Sequence, residues 1–331
     1  MTSTPHDAIF KAAFQHRDHA GALVNRFFPE LASTEIDWGT LKGEPTSFID
    51  QVLDGHHTDL LFSVRIDGQP AYIYFLLEHQ STIDHDMPFR VLVYLVRIWE
   101  RHRTQQSSGP LPLIIAAVIS NAPGGWTGPL SFHDLCTPHP TSIPGIAEFI
   151  PHFTLHLEDL SQRTNQDLQS WALAAFPKAA LFALRDARDP VKLLQNFHAW
   201  ASFFTAAAQA PSGIDAVAQV MRYIAQVSRD LNMNEFRARI RQHLPPAAET
   251  ELMTIYEQAR QEGLQQGLQQ GLQQGLQQGL AVLAKQLTLK FGELPSEYTE
   301  RLQAATYEDL ERYAERVLTA DNLAAVFALP S

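Results

Sequence analysis

The first apolar residues of the chain are spaced as they are on an amphipathic helix. Between positions 5 and 28, large apolar side chains recur at roughly helical intervals. Thr4 or Ser3 followed by Pro5 is a suitable helix start. We therefore expect one helix from about Pro5 to Phe28.

The apolar runs that follow have the composition of strands. They are short and rich in β-branched and aromatic residues. Asp67-Gly68 separates two of these runs and predicts the turn of a β-hairpin. A helix is expected at Met87–Arg103, where the spacing is helical again. The expected strands are Thr46–Asp50, Thr58–Ile66, Ala71–Gln80, Leu111–Ser120 and Pro151–Leu160.

The second half of the chain has a different composition. Residues 161–250 are rich in Ala, Leu and Gln and are interrupted by Pro, Gly and Asn, which predicts a domain of short helices. Residues 251–280 contain a repeated Gly-Leu-Gln-Gln unit, and residues 281–331 are expected to form a small helical module. Each Gly destabilises a helix by about 1 kcal/mol relative to Ala. The repeat is therefore either a low-complexity spacer or a helix that pairs with a partner in an oligomer.

Composition narrows the classes of protein to consider. The chain has 331 residues, a net charge of −11 and a single cysteine, Cys136, which excludes an internal disulfide and fits a reducing cytoplasm. The acidic balance argues against a broad basic surface for nucleic acid, although a local basic cleft is compatible with it. The N-terminus lacks the pattern of a signal peptide, and the longest apolar run, Leu111–Ile119, is too short to span a bilayer as a helix. We expect a cytoplasmic protein without a membrane partner.

Two acidic residues flank the predicted hairpin at the end away from its turn. Antiparallel pairing about Asp67-Gly68 can bring Asp59 and Glu78 to the same end of the sheet. Alternate residues share a face, so Glu78 and Gln80 point the same way and His79 the opposite way. Two carboxylates beside an amide suit Mg²⁺ or Mn²⁺, which can activate a water against a phosphodiester. From spacing alone, the alternative is that both acids only solvate strand ends.

The sequence also resembles a known family, the YhgA-like putative transposases, whose members are called recombination-promoting nucleases or Rpn proteins. The resemblance rests on "DLLF", "LLEHQS", "MPFR" and "YLVRIW", on the opening "PHDAIFKAAF", and on the terminal "LTLKFGELP". It implies an α/β fold with a mixed sheet, in which residues 1–160 form a PD-(D/E)XK nuclease-like core. That core has an Asp on one strand and Glu-x-Lys on the next.

The activity implied by this resemblance is metal-dependent hydrolysis of DNA by an endonuclease. Such an enzyme would promote recombination or act in conflicts with phages or mobile elements. The alternative is a catalytically silent regulator that binds DNA or protein on a nuclease-derived fold. The family name does not imply strand transfer, because nothing in the sequence indicates chemistry beyond cleavage.

The resemblance assigns roles to individual residues. Asp59 and Glu78 would hold Mg²⁺, with Mn²⁺ or Ca²⁺ as substitutes, and the carbonyl of His79 would be a third ligand. Gln80 stands where the wider fold has Lys, and its amide can orient a water but carries no charge. The general base is therefore unassigned. Asp7 is a further catalytic candidate, and its alternative role is that of a first-turn acid favoured by the helix dipole.

Three basic residues are candidates for contacts with the DNA backbone. Arg90 and Arg97 are seven residues apart and so share a helix face, and Lys11 lies one turn after Asp7. The alternative for all three is an ordinary surface position. Besides DNA, the expected partners are a second copy of the chain, through the repeat and the terminal module, and a C-terminal fragment from an internal start, acting as a regulator.

Overall fold

The computed structural model describes residues 4–46, 58–78, 83–106, 108–210, 213–243 and 246–328. Four residues of the predicted strand Thr46–Asp50 lie outside these ranges, as do His79 and Gln80. The chain divides into two compact units, Met1–Ala259 and Arg260–Ser331. The finer division of the chain into residues 1–160, 161–250, 251–280 and 281–331 stays a prediction.

The first unit combines a sheet with helices on both of its faces. Its strands are β1 (Ile36–Glu44), β2 (Thr58–Ile66), β3 (Gln69–Glu78), β4 (Leu113–Ser120) and β5 (His156–Asp159). Its helices are α1 (Pro5–Phe14), α2 (Arg17–Phe27), α3 (Met87–Gln105), α4 (Asn165–Ser170), α5 (Ala175–Asp186), α6 (Pro190–Gln209), α7 (Gly213–Val227), α8 (Met233–His243) and the start of α9 (Pro246–Phe291).

The sheet is mixed, which confirms the predicted α/β class. The strand order is β1-β2-β3-β4-β5, with β1, β2 and β3 antiparallel and β3, β4 and β5 parallel. One face packs against α1 and α2 in a core that includes Phe10, Phe62 and Phe75. The other face, which includes Leu61 and Leu76, packs against α3. β3 is therefore a central strand with a helix layer on each side.

The predicted single helix over Pro5–Phe28 is wrong, because the structure has two helices there. The break falls at Gln15 and His16, and His16 is extended, with ψ 132°. The polar run from Gln15 to Asp18 separates the apolar residues of the two helices. After the break, α2 can turn its own apolar side chains, such as Leu23, into the core that α1 already contacts.

The predicted hairpin is confirmed, and a strand that the sequence did not reveal extends it. Asp67 and Gly68 have φ values of 48° and 72°, the left-handed conformation of a type I′ turn. β1 pairs with β2 and has an irregular register between Asp37 and Lys42. The fifth strand is shorter than the predicted Pro151–Leu160.

Helices α4 to α8 extend the core on the α1 side of the sheet. α5, α6 and α7 supply buried residues such as Phe182, Trp200 and Tyr223. The predicted break at Asp189-Pro190 is confirmed, since the carboxylate of Asp189 caps α6 by accepting hydrogen bonds from Val191 N and Lys192 N. Within the described ranges, none of the helices combines the length and the apolar character that a membrane span needs.

The second unit contains the rest of α9, with α10 (Ser296–Gln303), α11 (Tyr307–Thr319) and α12 (Leu323–Val326). The Gly-Leu-Gln-Gln repeat is helical and lies within α9. The part of α9 that follows the repeat packs in a small core with Tyr313 and Phe327. Near the start of the repeat the leucine side chains are exposed: 74% for Leu264, 65% for Leu268 and 60% for Leu272.

Candidate metal and DNA site

The strand register relates the two predicted metal ligands through the backbone. Asp59 on β2 pairs with Leu76 on β3, so Glu78 lies two residues further along the neighbouring strand. Alternate strand residues share a face, so Asp59, Leu76 and Glu78 hold positions on one face. Leu76 belongs to the core beneath α3, so this is the α3 face. The two positions are diagonal neighbours at the end of the hairpin away from its turn.

The neighbouring strands end in polar residues at the same edge of the sheet. Glu78 pairs with Ser120 on β4, and Ser120 pairs with Asp159 on β5. Carboxyl ends of parallel strands are where ligands bind in open α/β sheets. Ser120 is buried, and its hydroxyl accepts a hydrogen bond from Ala122 N at 3.3 Å. Ser120 is not among the candidates that the sequence predicts, although it ends the apolar run of β4 as Glu78 ends that of β3.

Asp159 has a structural role at this edge. Its carboxylate accepts hydrogen bonds from Trp126 N at 2.7 Å and from Ser161 N at 3.0 Å. These contacts engage both carboxylate oxygens and fix the loop after β4 against the end of β5.

Arg90 lies in the first turns of α3, and its guanidinium group is largely buried. It donates hydrogen bonds to the carboxylate of Asp84 and to the hydroxyl of Tyr94, the latter at 3.0 Å. Only 11% of its side chain is exposed. Burial alone would lower its pKa, but the hydrogen bonds to Asp84 and Tyr94 raise the pKa of Arg90 above its ordinary value. The group is therefore charged throughout the accessible pH range.

The other two basic candidates lie on opposite sides of the sheet. Arg97, on α3, forms an ion pair with Glu100 at 2.8 Å, one turn further along the helix. Lys11, on α1, is partly exposed, and within the described ranges its side chain has no hydrogen-bond or ion-pair partner. Since α1 and α3 cover different faces, the two side chains do not belong to one continuous helix surface.

Asp7 takes part in the capping of α1. Its carboxylate accepts a hydrogen bond from Thr4 N at 2.8 Å, and Asp7 N donates to the hydroxyl of Thr4 at 3.2 Å. This reciprocal pair is a capping box. It gives the side chain a structural role, and the predicted catalytic role of Asp7 stays a prediction.

Next to Asp7, His6 links α1 to the helical layer. Its Nε2 lies 2.8 Å from a guanidinium nitrogen of Arg188, and its Nδ1 lies 2.8 Å from the hydroxyl of Tyr223. An arginine can only donate, so Nε2 accepts and the neutral imidazole carries its proton on Nδ1, donating to Tyr223. Burial raises the pKa of Tyr223, so its hydroxyl stays protonated. Residue types alone did not reveal this contact, which needs the tertiary fold.

The metal site itself stays a prediction. Among the side chains that the structure describes, no three His, Cys, Asp or Glu residues are arranged to hold a metal ion. The side chains of Asp59 and Glu78, and the whole of His79 and Gln80, fall outside that description. For these four residues the structure supplies only the two strand positions.

Comparison with known proteins identifies the family. The family described as "Putative transposase, YhgA-like" matches residues 4–212, which is more than half of the chain. The chain belongs to this family. No solved structure matches it.

Several of its relatives from Escherichia coli are named as nucleases. The chain is 34% identical to the recombination-promoting nuclease RpnD of strain O157:H7 over 45% of its own length and 52% of that protein. It is 28% identical to the recombination-promoting nuclease RpnA of strain K12 over 80% of its own length and 86% of that protein. It is also 26% identical to the inactive recombination-promoting nuclease-like protein RpnE of strain K12, over 79% and 83%. The match thus spans about half the length of RpnD.

Proposed function

We propose that the chain is a metal-dependent DNA endonuclease built on a PD-(D/E)XK core. The observation that carries this proposal is the diagonal placement of Asp59 and Glu78 on adjacent strands, in a family with relatives named as nucleases. Two carboxylates at such positions suit a hard divalent cation, which keeps coordination places for water and phosphate. A bound Mg²⁺ would lower the pKa of a ligated water and offset charge on the phosphodiester.

The protein's contribution is a rigid platform for these groups. β3 is hydrogen-bonded to β2 on one side and to β4 on the other. Its residues Phe75 and Leu77 are fully buried towards α1, and Leu76 is fully buried towards α3. A strand with a neighbouring strand on each side and a helix on each face can fix the position of Glu78 closely, as a metal ligand requires. Gln80 would then orient the attacking water through its amide, while the carbonyl of His79 would complete the ligand set.

Binding of DNA would rest on local charge, because the chain as a whole is acidic. We propose that Arg97 and Lys11 contact backbone phosphates, which position a duplex without reading its sequence. Neutralising either residue should weaken binding of all DNA sequences alike. Each loss should also reduce the salt dependence of binding, since fewer counterions are released.

A catalytically silent regulator is the second candidate function. Gln80 replaces the Lys of the wider fold, and one relative that matches 79% of the chain is named inactive. Such a protein would bind DNA or another protein without cleaving it. The presence of both Asp59 and Glu78 favours the enzyme.

Nicking of supercoiled plasmid by the full chain separates the two functions. We expect cleavage with Mg²⁺ or Mn²⁺, and its loss in Asp59→Asn and Glu78→Gln. Asp67→Asn is the matched control: it neutralises an acid at the opposite end of the same hairpin, and Asn tolerates the left-handed conformation found there. No cleavage by the wild-type protein, or equal cleavage by Asp59→Asn, would contradict the enzyme. DNA binding without cleavage would support the regulator.

We also propose that the chain self-associates through the repeat. The exposed side chains of Leu264, Leu268 and Leu272 lie on a helix without charged residues between Gly263 and Leu280, which favours pairing over a solvated spacer. Light scattering of the full chain and of a variant with these three leucines changed to Gln tests this. A wild-type monomer would contradict it.

A further inference from the structure

Arg90 is held between a residue that precedes α3 and a residue one turn further along α3. Its guanidinium group bridges the carboxylate of Asp84, before α3, and the hydroxyl of Tyr94, one turn further along α3. The other carboxylate oxygen of Asp84 accepts a hydrogen bond from Asp86 N at 2.8 Å. The Tyr94 ring packs edge-on against Tyr74 of β3, with centroids 5.8 Å apart. We refer to Asp84, Arg90, Tyr94 and Tyr74 as the Arg90 clamp.

The clamp contacts the chain on both sides of Glu78. Tyr74 lies four residues before Glu78 on β3, at a position on the same α3 face. Asp84 lies six residues after Glu78. The clamp therefore ties β3, which ends at Glu78, and Asp84, which precedes α3, to the same helix.

We propose that Arg90 is a positioning residue of the nuclease, which fixes the backbone before and after Glu78 and does not contact DNA. This inference rests on the proposed function. Its physical basis is that both arms of the guanidinium fork are already engaged in a largely buried place. Turning Arg90 towards a phosphate would strip the partly buried Asp84 carboxylate, 21% exposed, of its counter-charge, which is costly. Arg97 faces no such cost, because its partner Glu100 is more than half exposed.

The test compares variants of the clamp with variants of the exposed basic residues. Arg90→Gln and Asp84→Asn each remove one charge of the pair, and Tyr94→Phe removes only the hydroxyl. Arg97→Gln is the matched control, since it makes the same change on the same helix, seven residues after Arg90. For each full-length variant, plasmid cleavage is measured against Mg²⁺ concentration, and DNA binding against salt concentration.

We expect Arg90→Gln and Asp84→Asn to lower kcat by about 10-fold, the lower end of the effect of losing a group that contacts a metal ligand directly, because Arg90 acts on Glu78 through the backbone. Both should raise the Mg²⁺ concentration needed for half-maximal rate. Their double variant should be no worse than the more affected single variant, because the two side chains act as one unit. Arg97→Gln should instead weaken DNA binding and reduce the salt slope by about one.

Two outcomes would overturn the inference while leaving the enzyme intact. If Arg90 contacts phosphate, Arg90→Gln reduces the salt slope, and Asp84→Asn strengthens DNA binding because it frees the arginine and removes an acid. If the clamp only stabilises the fold, the variants lower the thermal midpoint but leave kcat per active molecule and the Mg²⁺ requirement unchanged. Tyr94→Phe keeps the aromatic ring and both charged side chains, Arg90 and Asp84, so it is the variant least prone to misfolding. We expect Tyr94→Phe to raise the Mg²⁺ concentration needed for half-maximal rate. An unchanged Mg²⁺ requirement in this variant would count against the clamp.

Failure of the proposed function gives a different result. In that case the wild-type protein neither cleaves plasmid nor binds Tb³⁺, a luminescent substitute for the divalent ion, and the inference falls with it. An active wild-type protein with unaffected clamp variants rejects the inference alone.

Discussion

Two glycines of the same repeat are expected to respond differently to the same substitution. Gly271 and Gly279 both lie in α9, within the second unit. A Cβ added at Gly271 would have no atom within 4 Å. At Gly279 the added Cβ would lie 2.5 Å from Cδ2 of Leu310, on α11, and 3.6 Å from its Cγ and Cδ1. Gly271→Ala and Gly279→Ala therefore form a matched pair.

The expected difference follows from two terms. Both variants gain about 1 kcal/mol, because Ala is favoured over Gly by this amount inside a helix. Contacting carbons stay about 3.5–4.0 Å apart, so Leu310 has to move by about 1 Å to admit the new methyl group at position 279. Overpacking costs about 1–3 kcal/mol, and the lower end applies here because the contact is with the end of the Leu310 side chain, which is only partly buried. We therefore expect Gly279→Ala to be nearly neutral, about 1 kcal/mol less stable than Gly271→Ala.

Scanning calorimetry of the full chain measures this difference. In a unit of this size, 1 kcal/mol shifts the thermal midpoint by about 4–8 °C, so the two variants should differ by at least about 4 °C. The relevant transition is the one that responds to Leu310→Ala. In that background the clash is gone, and Gly279→Ala should become stabilising. Equal shifts for both glycines would refute the contact between Gly279 and Leu310.

Two further predictions concern the first unit. Hydrogen bonds from Arg241 and Arg237 lower the pKa of Glu249 from 4.5 to about 2, so its stabilising contribution is complete above pH 4.5 and is lost as the pH falls towards 2. Glu249→Gln should reduce the fall of the thermal midpoint between pH 4.5 and pH 2. Equal falls in the wild-type protein and the variant would contradict the pairing of Glu249 with the two arginines. Gly68→Ala should cost about 1–2 kcal/mol in urea unfolding, since φ is positive at the hairpin turn. Asp67→Asn should leave the urea midpoint nearly unchanged, and an equally mild Gly68→Ala would contradict the turn.

The sequence revealed those elements whose pattern is local. The β2–β3 hairpin combines apolar runs with an Asp-Gly turn, and α3 has helical spacing, so both were predicted near their observed bounds. β1 has two glycines, and among its residues only Leu41 is buried. Its strand character comes from pairing with β2, a tertiary contact that no local pattern contains. The break between α1 and α2 was missed because the apolar residues on both sides still fit one helical spacing.

At the candidate site, the sequence predicted residue types and strand positions but not side-chain partners. The placement of Asp59 and Glu78 on adjacent strands follows from the hairpin, which a turn signal can predict. The engagement of Arg90 by Asp84 depends on how the chain enters α3, and the contact of His6 with Arg188 and Tyr223 joins residues far apart in the chain. Such contacts decide whether a charged side chain is available to a ligand.

The central claim is that Asp59 and Glu78 hold a catalytic metal ion. Its most direct test is cleavage of supercoiled plasmid by the wild-type chain and by Asp59→Asn in parallel, with and without Mg²⁺, on proteins of matched circular dichroism. We expect nicking by the wild-type protein that requires Mg²⁺ and is absent in Asp59→Asn. Nicking of equal rate in the folded variant, or nicking that persists without a divalent ion, would contradict it.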